Sequence, residues 1–286
     1  MPGADVTSPK YHILERSFTI QYLHKNGSYS MNRAHFHPFY EIYYLLKGER
    51  VYFINGSVYT VNKGDLIVIN PHDLHRTDNS NADSNGFERI LINFTHDFIM
   101  PNLDGELPLL PFKGDSHLIR FPLKEQASIE NMLWELMAEC KEKQAGHAAV
   151  VRALLVKLLI RIYRFQLQAL EEPSRSPNPM HRKISEIASY LAVHFHEKPT
   201  LDQVAKQFFI SPSHLSRVFK SVTGFYFREY LLLLRIREAQ KQLRETHHKV
   251  QTIAESCGFE NLTHFNKSFK KIIGLSPLQY RKRSKI

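Results

Sequence analysis

Two groups of side chains in this 286-residue chain have the types and spacing to do recognition chemistry. The first is a duplicated pattern: Ser213, His214, Ser216, Arg217 and Lys220 recur in kind as Thr263, His264, Asn266, Lys267 and Lys270. On helices that bury Leu215, Val218 and Phe219 in one copy and Phe265 and Phe269 in the other, these polar residues form the outer faces. Small polar groups followed by Arg or Lys suit the DNA major groove. A guanidinium grips a guanine edge with two parallel bonds, a carboxamide does the same to adenine, and flanking ammonium groups meet phosphates. The second group is His35, His37 and Glu41, joined by His75 from further along the chain. The first three share parity, so an extended chain points them to one face. Three readings are open: a three-histidine, one-carboxylate set for a divalent transition metal; a pocket in which these groups hydrogen-bond a small polar ligand, with Phe36, Tyr43 and Tyr44 as stacking faces; or side chains that only satisfy one another.

The duplicated pattern needs helices to carry it, and the sequence supplies their signals twice. Ala205 recurs as Ala254, Leu215 as Phe265, Phe219-Lys220 as Phe269-Lys270, Gly224 as Gly274 and Tyr230 as Tyr280, at an offset of 49 residues in the first pair and 50 thereafter. Two copies of so long a period mark a duplicated supersecondary unit, since a solenoid needs more. In the first copy Thr200 and Gln203 form a capping box ahead of Leu201, Val204, Ala205 and Phe208. Ser211 is a strong N-cap, Pro212 suits the first helical position, and Gly224 is placed to end the helix. The second copy repeats this logic with Ile253, Ala254 and Cys257, a turn at Gly258, and a second helix ending near Gly274. Between the copies, residues 225–243 read as one amphipathic helix. It spans roughly 28 Å, near the spacing of successive major-groove turns on one DNA face.

The charge distribution agrees. From His181 onward there are 19 Lys+Arg against 8 Asp+Glu, leaving 19 against 20 before it, so the net +10 belongs wholly to the C-terminal third. A folded basic third points to a polyanionic partner. The run Glu171–Pro179 carries three prolines among small polar residues and reads as a linker. Upstream, residues 41–46, 51–55, 65–69 and 89–94 read as short strands, with Asn55-Gly56 as the best hairpin signal. Residues 124–143 and 147–172 then switch to helical period. Their broad apolar faces either cover the sheets or pair with a second subunit. Cys140 and Cys257 read as small core residues, not a disulfide or zinc pair. No stretch approaches the length of a membrane span, and the first residues lack the features of a signal peptide, so a reducing, cytoplasmic location is expected.

The segments LDQVAKQFFISPSHLSRVFKSVTGFYFREYLLLLRI and TIAESCGFENLTHFNKSFKKIIGLSPLQYR resemble the DNA-binding domain of AraC-type regulators. The resemblance places base-reading positions on Ser213, Ser216, Arg217, Thr263, His264, Asn266 and Lys267, and departs at Phe209, where such domains usually have a turn glycine. His35-Phe36-His37-Pro38-Phe39-Tyr40-Glu41 with Gly48 resembles the first cupin motif. Gly64–Ile69, Pro71, His75 and Asn79 resemble the second, with His72 where that motif prefers glycine. Cupins in regulators are commonly metal-free, which favours the polar-ligand reading: an effector at His35, His37, Glu41, Tyr43 and His75, with no cofactor. The same set without Tyr43, namely His35, His37, Glu41 and His75, is the alternative metal set.

The expected fold is α+β in two domains, an N-terminal cupin-like β-barrel with two long helices and a C-terminal all-α tandem helix-turn-helix domain. Residues 1–172 are expected to bind effector and dimerise, 173–180 to link, and 181–286 to bind DNA, with motifs at about 201–222 and 250–272. The expected function is a sequence-specific, non-enzymatic transcription regulator controlled by a small polar effector, a sugar being one candidate. Its expected partners are double-stranded DNA, a second copy of the chain and RNA polymerase. The alternative is a metal-dependent cupin enzyme tethered to a DNA-binding module.

Overall fold

A computed structural model of the chain describes residues 8–27, 35–79, 86–99, 107–114, 116–168 and 179–283. By its internal contacts the chain divides into two compact units, 1–54 with 59–176, and 55–58 with 177–286.

The first unit is built on two antiparallel sheets. One has six strands in the order β1 (Lys10–Ile13), β2 (Phe18–Lys25), β8 (Phe87–Phe94), β3 (Tyr40–Lys47), β6 (Asp65–Ile69) and β9 (Leu118–Arg120). The other has β5 (Ser57–Asn62), β4 (Glu49–Ile54) and β7 (His75–Asn79). Asn55 and Gly56, at φ of 47° and 99°, turn β4 into β5 as the Asn-Gly signal predicts. Strand alternation gives the large sheet two apolar faces. Ile42 and Tyr44 of β3 face one cluster with Ile20, Ile90, Ile92 and the helices α2 (Leu123–Glu142) and α3 (His147–Gln168). Tyr43 and Leu45 face the other cluster, with Tyr52, Ile54, Tyr59 and Val61 of the small sheet. Each fully buried side chain of this kind contributes roughly 1.5–3 kcal/mol, so both layers are firmly held. A short helix, α1 (His96–Ile99), leaves the end of β8 and buries Phe98 and Ile99 beneath α3.

Tyr44 corrects the sequence reading. Its parity is opposite to that of Tyr43, and its hydroxyl donates to Glu130 of α2 at 3.0 Å, so it serves the helix layer and not the histidine side. The linker reading falls largely on residues 171–178, which lie outside the described residues; Pro179 already opens a helix.

The second unit is all helix: α4 (Pro179–His194), α5 (Leu201–Gln207), α6 (Pro212–Thr223), α7 (Phe227–Glu245), α8 (Val250–Ser256), α9 (Leu262–Ile273) and α10 (Pro277–Arg283). The capping box forms: Gln203 N–H donates to Thr200 Oγ1 at 3.2 Å, and Thr200 N–H donates to Gln203 Oε1 at 2.9 Å. Ser211 caps α6 through His214 N–H at 3.3 Å, and Asn261 caps α9 through His264 N–H at 2.7 Å. Ala205 and Ala254 are both buried, which lets each following helix approach closely. At the two inter-helix turns the copies differ as the sequence suggests. Gly258 takes φ of 82°, whereas Phe209 holds φ of 53° with its ring 96% exposed. Cys140 and Cys257 are free and buried, and burial pushes both thiols up to about 12. No helix among the described residues is long and apolar enough to cross a membrane.

Candidate functional site

The two matched helices present the residues singled out above on their outer faces. On α6, Ser213 and Arg217 are exposed and Ser216 and Lys220 half-buried, while Leu215 and Phe219 are fully buried and Val218 is half-buried. On α9, Thr263, His264, Asn266, Lys267 and Lys270 are exposed above the buried Phe265 and Phe269. One turn of helix lies between His214 and Arg217, and Arg217 Nη2 sits 3.0 Å from His214 Nδ1. The imidazole accepts from the guanidinium and holds it near the outer face. Lys220 Nζ lies 3.1 Å from the centre of the Tyr226 ring, a cation–π contact that tethers this ammonium beside the helix. Among the described residues Lys270 has no such ring, so the two matched lysines differ in what they release to meet a phosphate.

The histidine cluster forms at the junction of the two sheets of the first unit. Glu41 comes from β3 of the large sheet and His75 from the start of β7 in the small one. His35 lies outside any strand but pairs with His75 through two backbone hydrogen bonds, N–H to O at 3.2 and 3.1 Å. The chain bends at residues 38–39, so convergence comes from this bridge and bend and not from the continuous extended segment that shared parity implied. His72, where glycine was expected, adopts φ of 67° and donates its N–H to the His37 carbonyl at 2.8 Å, fastening the two loops together.

The three imidazoles then face one another, with ring centres 4.5 to 5.5 Å apart. His37 Nε2 is 3.1 Å from Glu41 Oε2, and His37 Nδ1 is 3.1 Å from the Phe39 carbonyl. His75 Nδ1 is 2.8 Å from the Asp73 carbonyl, while its buried Nε2 has no hydrogen-bond partner. Burial opposes charge on His37, yet the hydrogen bond and charge of Glu41 hold its pKa above the ordinary value. Burial likewise works to raise Glu41, but the hydrogen bond from His37 and the neighbouring His75 keep the carboxyl below its usual range. His75 is held down to about 4, first by burial, so its ring is neutral.

Tyr43 joins this group from the same face of β3. Its ring packs edge-on to Tyr52 at 4.9 Å, and its buried hydroxyl also lacks a hydrogen-bond partner. Burial pushes that hydroxyl up to about 12, so it stays a donor. Arg89 was missed in the sequence. Its guanidinium lies 5.8 Å over the Tyr43 ring and donates to Gln21 Oε1 at 3.1 Å. The alternation of β8, in which Arg89, Leu91 and Asn93 register with Leu45, Tyr43 and Glu41, is the signal that would have found it. Phe36 is half-buried beside the cluster residues in the chain.

The chain resembles known proteins over both units. Residues 204–283 match a family described as a helix-turn-helix domain, and residues 19–159 match one described as an AraC-like ligand binding domain. The HTH-type transcriptional activator RhaS of Enterobacter sp. (strain 638) is 28% identical over 251 residues, covering 86% of each chain. Among solved structures, the C-terminal domain of AraT, a response regulator from Geobacillus stearothermophilus, is 34% identical, with 37% of this chain and 86% of that one covered and a TM-score of 0.34. ToxT from Vibrio cholerae O395 aligns with 93% of this chain and 97% of its own at 13% identity and a TM-score of 0.37.

Proposed function

This chain belongs to the AraC-type regulators, with an AraC-like ligand binding domain ahead of a helix-turn-helix domain, and from that premise we propose how its DNA binding is controlled. It is a DNA-binding transcription regulator and not an enzyme, as its relatives are. Residues 1–172 take up a small polar effector and dimerise, 173–180 link, and 181–286 read DNA. Ser213, Ser216, Arg217, Thr263, His264, Asn266 and Lys267 meet base edges, and Lys220 and Lys270 meet phosphates. The protein works in the cytoplasm as a homodimer. It activates transcription, as the name of the RhaS relative says of that protein, and so meets RNA polymerase at its target.

The observation that carries the effector reading is the convergence of His35, His37, Glu41, Tyr43 and His75, with His75 Nε2 and the Tyr43 hydroxyl buried and unpartnered. Buried polar atoms without partners are rare in folded proteins, and a ligand that supplies them is the simplest account. Effector binding favours one arrangement of the DNA-binding domains through its differential affinity for the two states. The dimer reading rests on α3. Ala149, Ala153, Val156 and Ile160 follow one another at steps of four, three and four residues and line an open groove of about 870 Å³ beside α2. That is the spacing of a helix–helix seam.

A panel of sugars and polyols, tested for their effect on promoter DNA binding, examines the effector assignment. Replacing His37, Glu41 or His75 by Ala is expected to abolish the response to the active compound while basal DNA binding persists. Variants that respond like wild type would remove the cluster from the effector site.

A further inference from the structure

We propose that Arg235 is a positioning residue: with the turn Phe195–Glu197 and Gly258 it clasps the two helix-turn-helix motifs together, and so sets the spacing of DNA blocks that the chain accepts. This rests on the reading that α6 and α9 both meet base edges, and adds what fixes the distance between them. The two motifs share α7, but each uses its own stretch of it. Tyr230, near the start, packs its ring against Phe219 of α6 at 5.4 Å and against Phe225 at 5.8 Å. Ile236 and Leu243, further on, lie in one core with Ile253, Phe265 and Phe269 of the second motif. Arg235 falls where one set of contacts gives way to the other. A helix of nineteen residues curves easily along its length. Flexing at its middle would swing α9 relative to α6 while leaving both cores intact. A fixed setting therefore needs a contact that bridges the motifs directly.

The segment leading into the first motif makes that contact. After α4 the chain forms a 3-10 turn, Phe195–Glu197, and Lys198, at φ of 57°, redirects it toward the cap of α5. Carbonyls at the end of a helical turn lack partners within it. The Phe195 carbonyl accepts instead from Arg235 Nε at 3.2 Å, which ties the turn to the middle of α7. The same turn meets the second motif. A Cβ at Gly258 would stand 3.1 Å from the His196 carbonyl oxygen and 3.3 Å from Arg235 Nε, tighter than side chains normally pack. Glycine is thus required there twice, by φ of 82° and by what sits against it. The matching position in the first motif is Phe209, whose ring is exposed, so that turn has room for a side chain where the second has none. Lys198 Nζ and Glu260 Oε1, 3.4 Å apart, form an exposed outer pair that adds little. Burial draws the pKa of Arg235 below the ordinary value, while Glu260 favours its charge. The setting matters because one base pair added between two blocks moves one of them by roughly 3.4 Å and turns it by roughly 35°. Clasped motifs match one spacing, whereas released motifs follow the DNA to neighbouring ones.

The test uses the full-length chain and duplexes carrying the two blocks that wild type selects, with the gap between them changed by one or two base pairs either way. Wild type is expected to lose about 10-fold or more in affinity at a changed gap, because one block is then misread. Arg235→Met keeps the apolar stem and removes the donor. It is expected to select the same two blocks yet to bind the changed gaps within about 3-fold of the original. Arg235→Gln places an amide N–H near the position of Nε, so it is expected to restore most of the wild-type ratio. A merely structural role would lower melting temperature and affinity at every gap alike, and unchanged ratios in Arg235→Met overturn the proposal. So does a wild type that accepts several gaps equally. If Arg235→Met loses its circular dichroism, Gly258→Ala decides: it pushes the turn off its seat and is expected to flatten the same ratios, and wild-type ratios in it overturn the clasp. Selection of no two-block site would remove the reading of α6 and α9 and the clasp with it. A two-block site whose gap preference survives in Arg235→Met removes the clasp alone.

Discussion

Arg217 and Lys267 hold matched places in two helices, yet they differ in how they are held. Arg217 leans on His214 at 3.0 Å, while exposed Lys267 has no ring or acid against it among the described residues. A braced guanidinium loses less freedom on meeting a guanine edge, so the first helix should discriminate more sharply. Arg217→Ala and Lys267→Ala are each expected to weaken binding to the preferred DNA by roughly 1–3 kcal/mol, with preference lost at only a few base pairs. Lys270→Ala should instead weaken binding to all sequences alike and flatten its salt dependence. Titrations at several salt concentrations separate the two outcomes, and uniform weakening by Arg217→Ala would take that residue off the bases. Side-chain types and spacing were enough to nominate these residues. The tether of Lys220 over Tyr226 was not legible, because it depends on how the chain turns back after Gly224. Nor were the roles of the Phe39 and Asp73 carbonyls, since every residue has a carbonyl and only the fold decides where it points.

At the scale of elements, the local signals were strong wherever a single residue type decides a backbone state. The capping box at Thr200, the cap at Ser211 and the Asn55-Gly56 turn all form, and Asn261 caps the matching helix of the second copy in the same way. Strands β1, β2, β7 and β9 were not predicted, and β5 only through the Asn55-Gly56 turn before it. β7, with the sequence HRTDN, has no apolar alternation to betray it and is a strand because it pairs with β4 and carries His75 to the cluster. The paired turns of the C-terminal unit give a direct test of backbone strain. Phe209 carries a left-handed φ that a side chain resists, and its exposed ring has little packing to lose. Phe209→Gly is therefore expected to stabilise the unit by about 1 kcal/mol, after allowing for the added freedom of the unfolded chain. Gly258→Ala is expected to cost about 1–3 kcal/mol, because φ is 82° and the new Cβ would lie 3.1 Å from the His196 carbonyl oxygen. Thermal unfolding of both variants checks the pair, and a destabilised Phe209→Gly would mean that the ring has a packing role.

For the whole molecule, the division of labour follows from charge and apolar surface. The excess positive charge lies in the C-terminal third, and an uncovered apolar seam lies on α3 in the first unit. Composition made the first legible. The second was half legible, since helical period alone could not say which apolar residues cover the sheet and which remain outside. Val151, Leu155, Leu158 and Ile162 are buried in the core that α3 shares with α2, leaving Ala153, Val156 and Ile160 toward the groove. Ile160→Glu is expected to convert a sedimenting dimer of the full chain to monomer with DNA affinity reduced, and an unchanged dimer would place the interface elsewhere. The central claim is that two helices, one in each repeat, read DNA sequence. It is tested most directly by selecting bound duplexes from a random-sequence library with wild type, Arg217→Ala and Lys267→Ala. The expected result is an enriched site of two short blocks about one helical turn apart, with each substitution erasing preference in one block and sparing the other. Enrichment of no sequence, or a site unchanged by both substitutions, would contradict it.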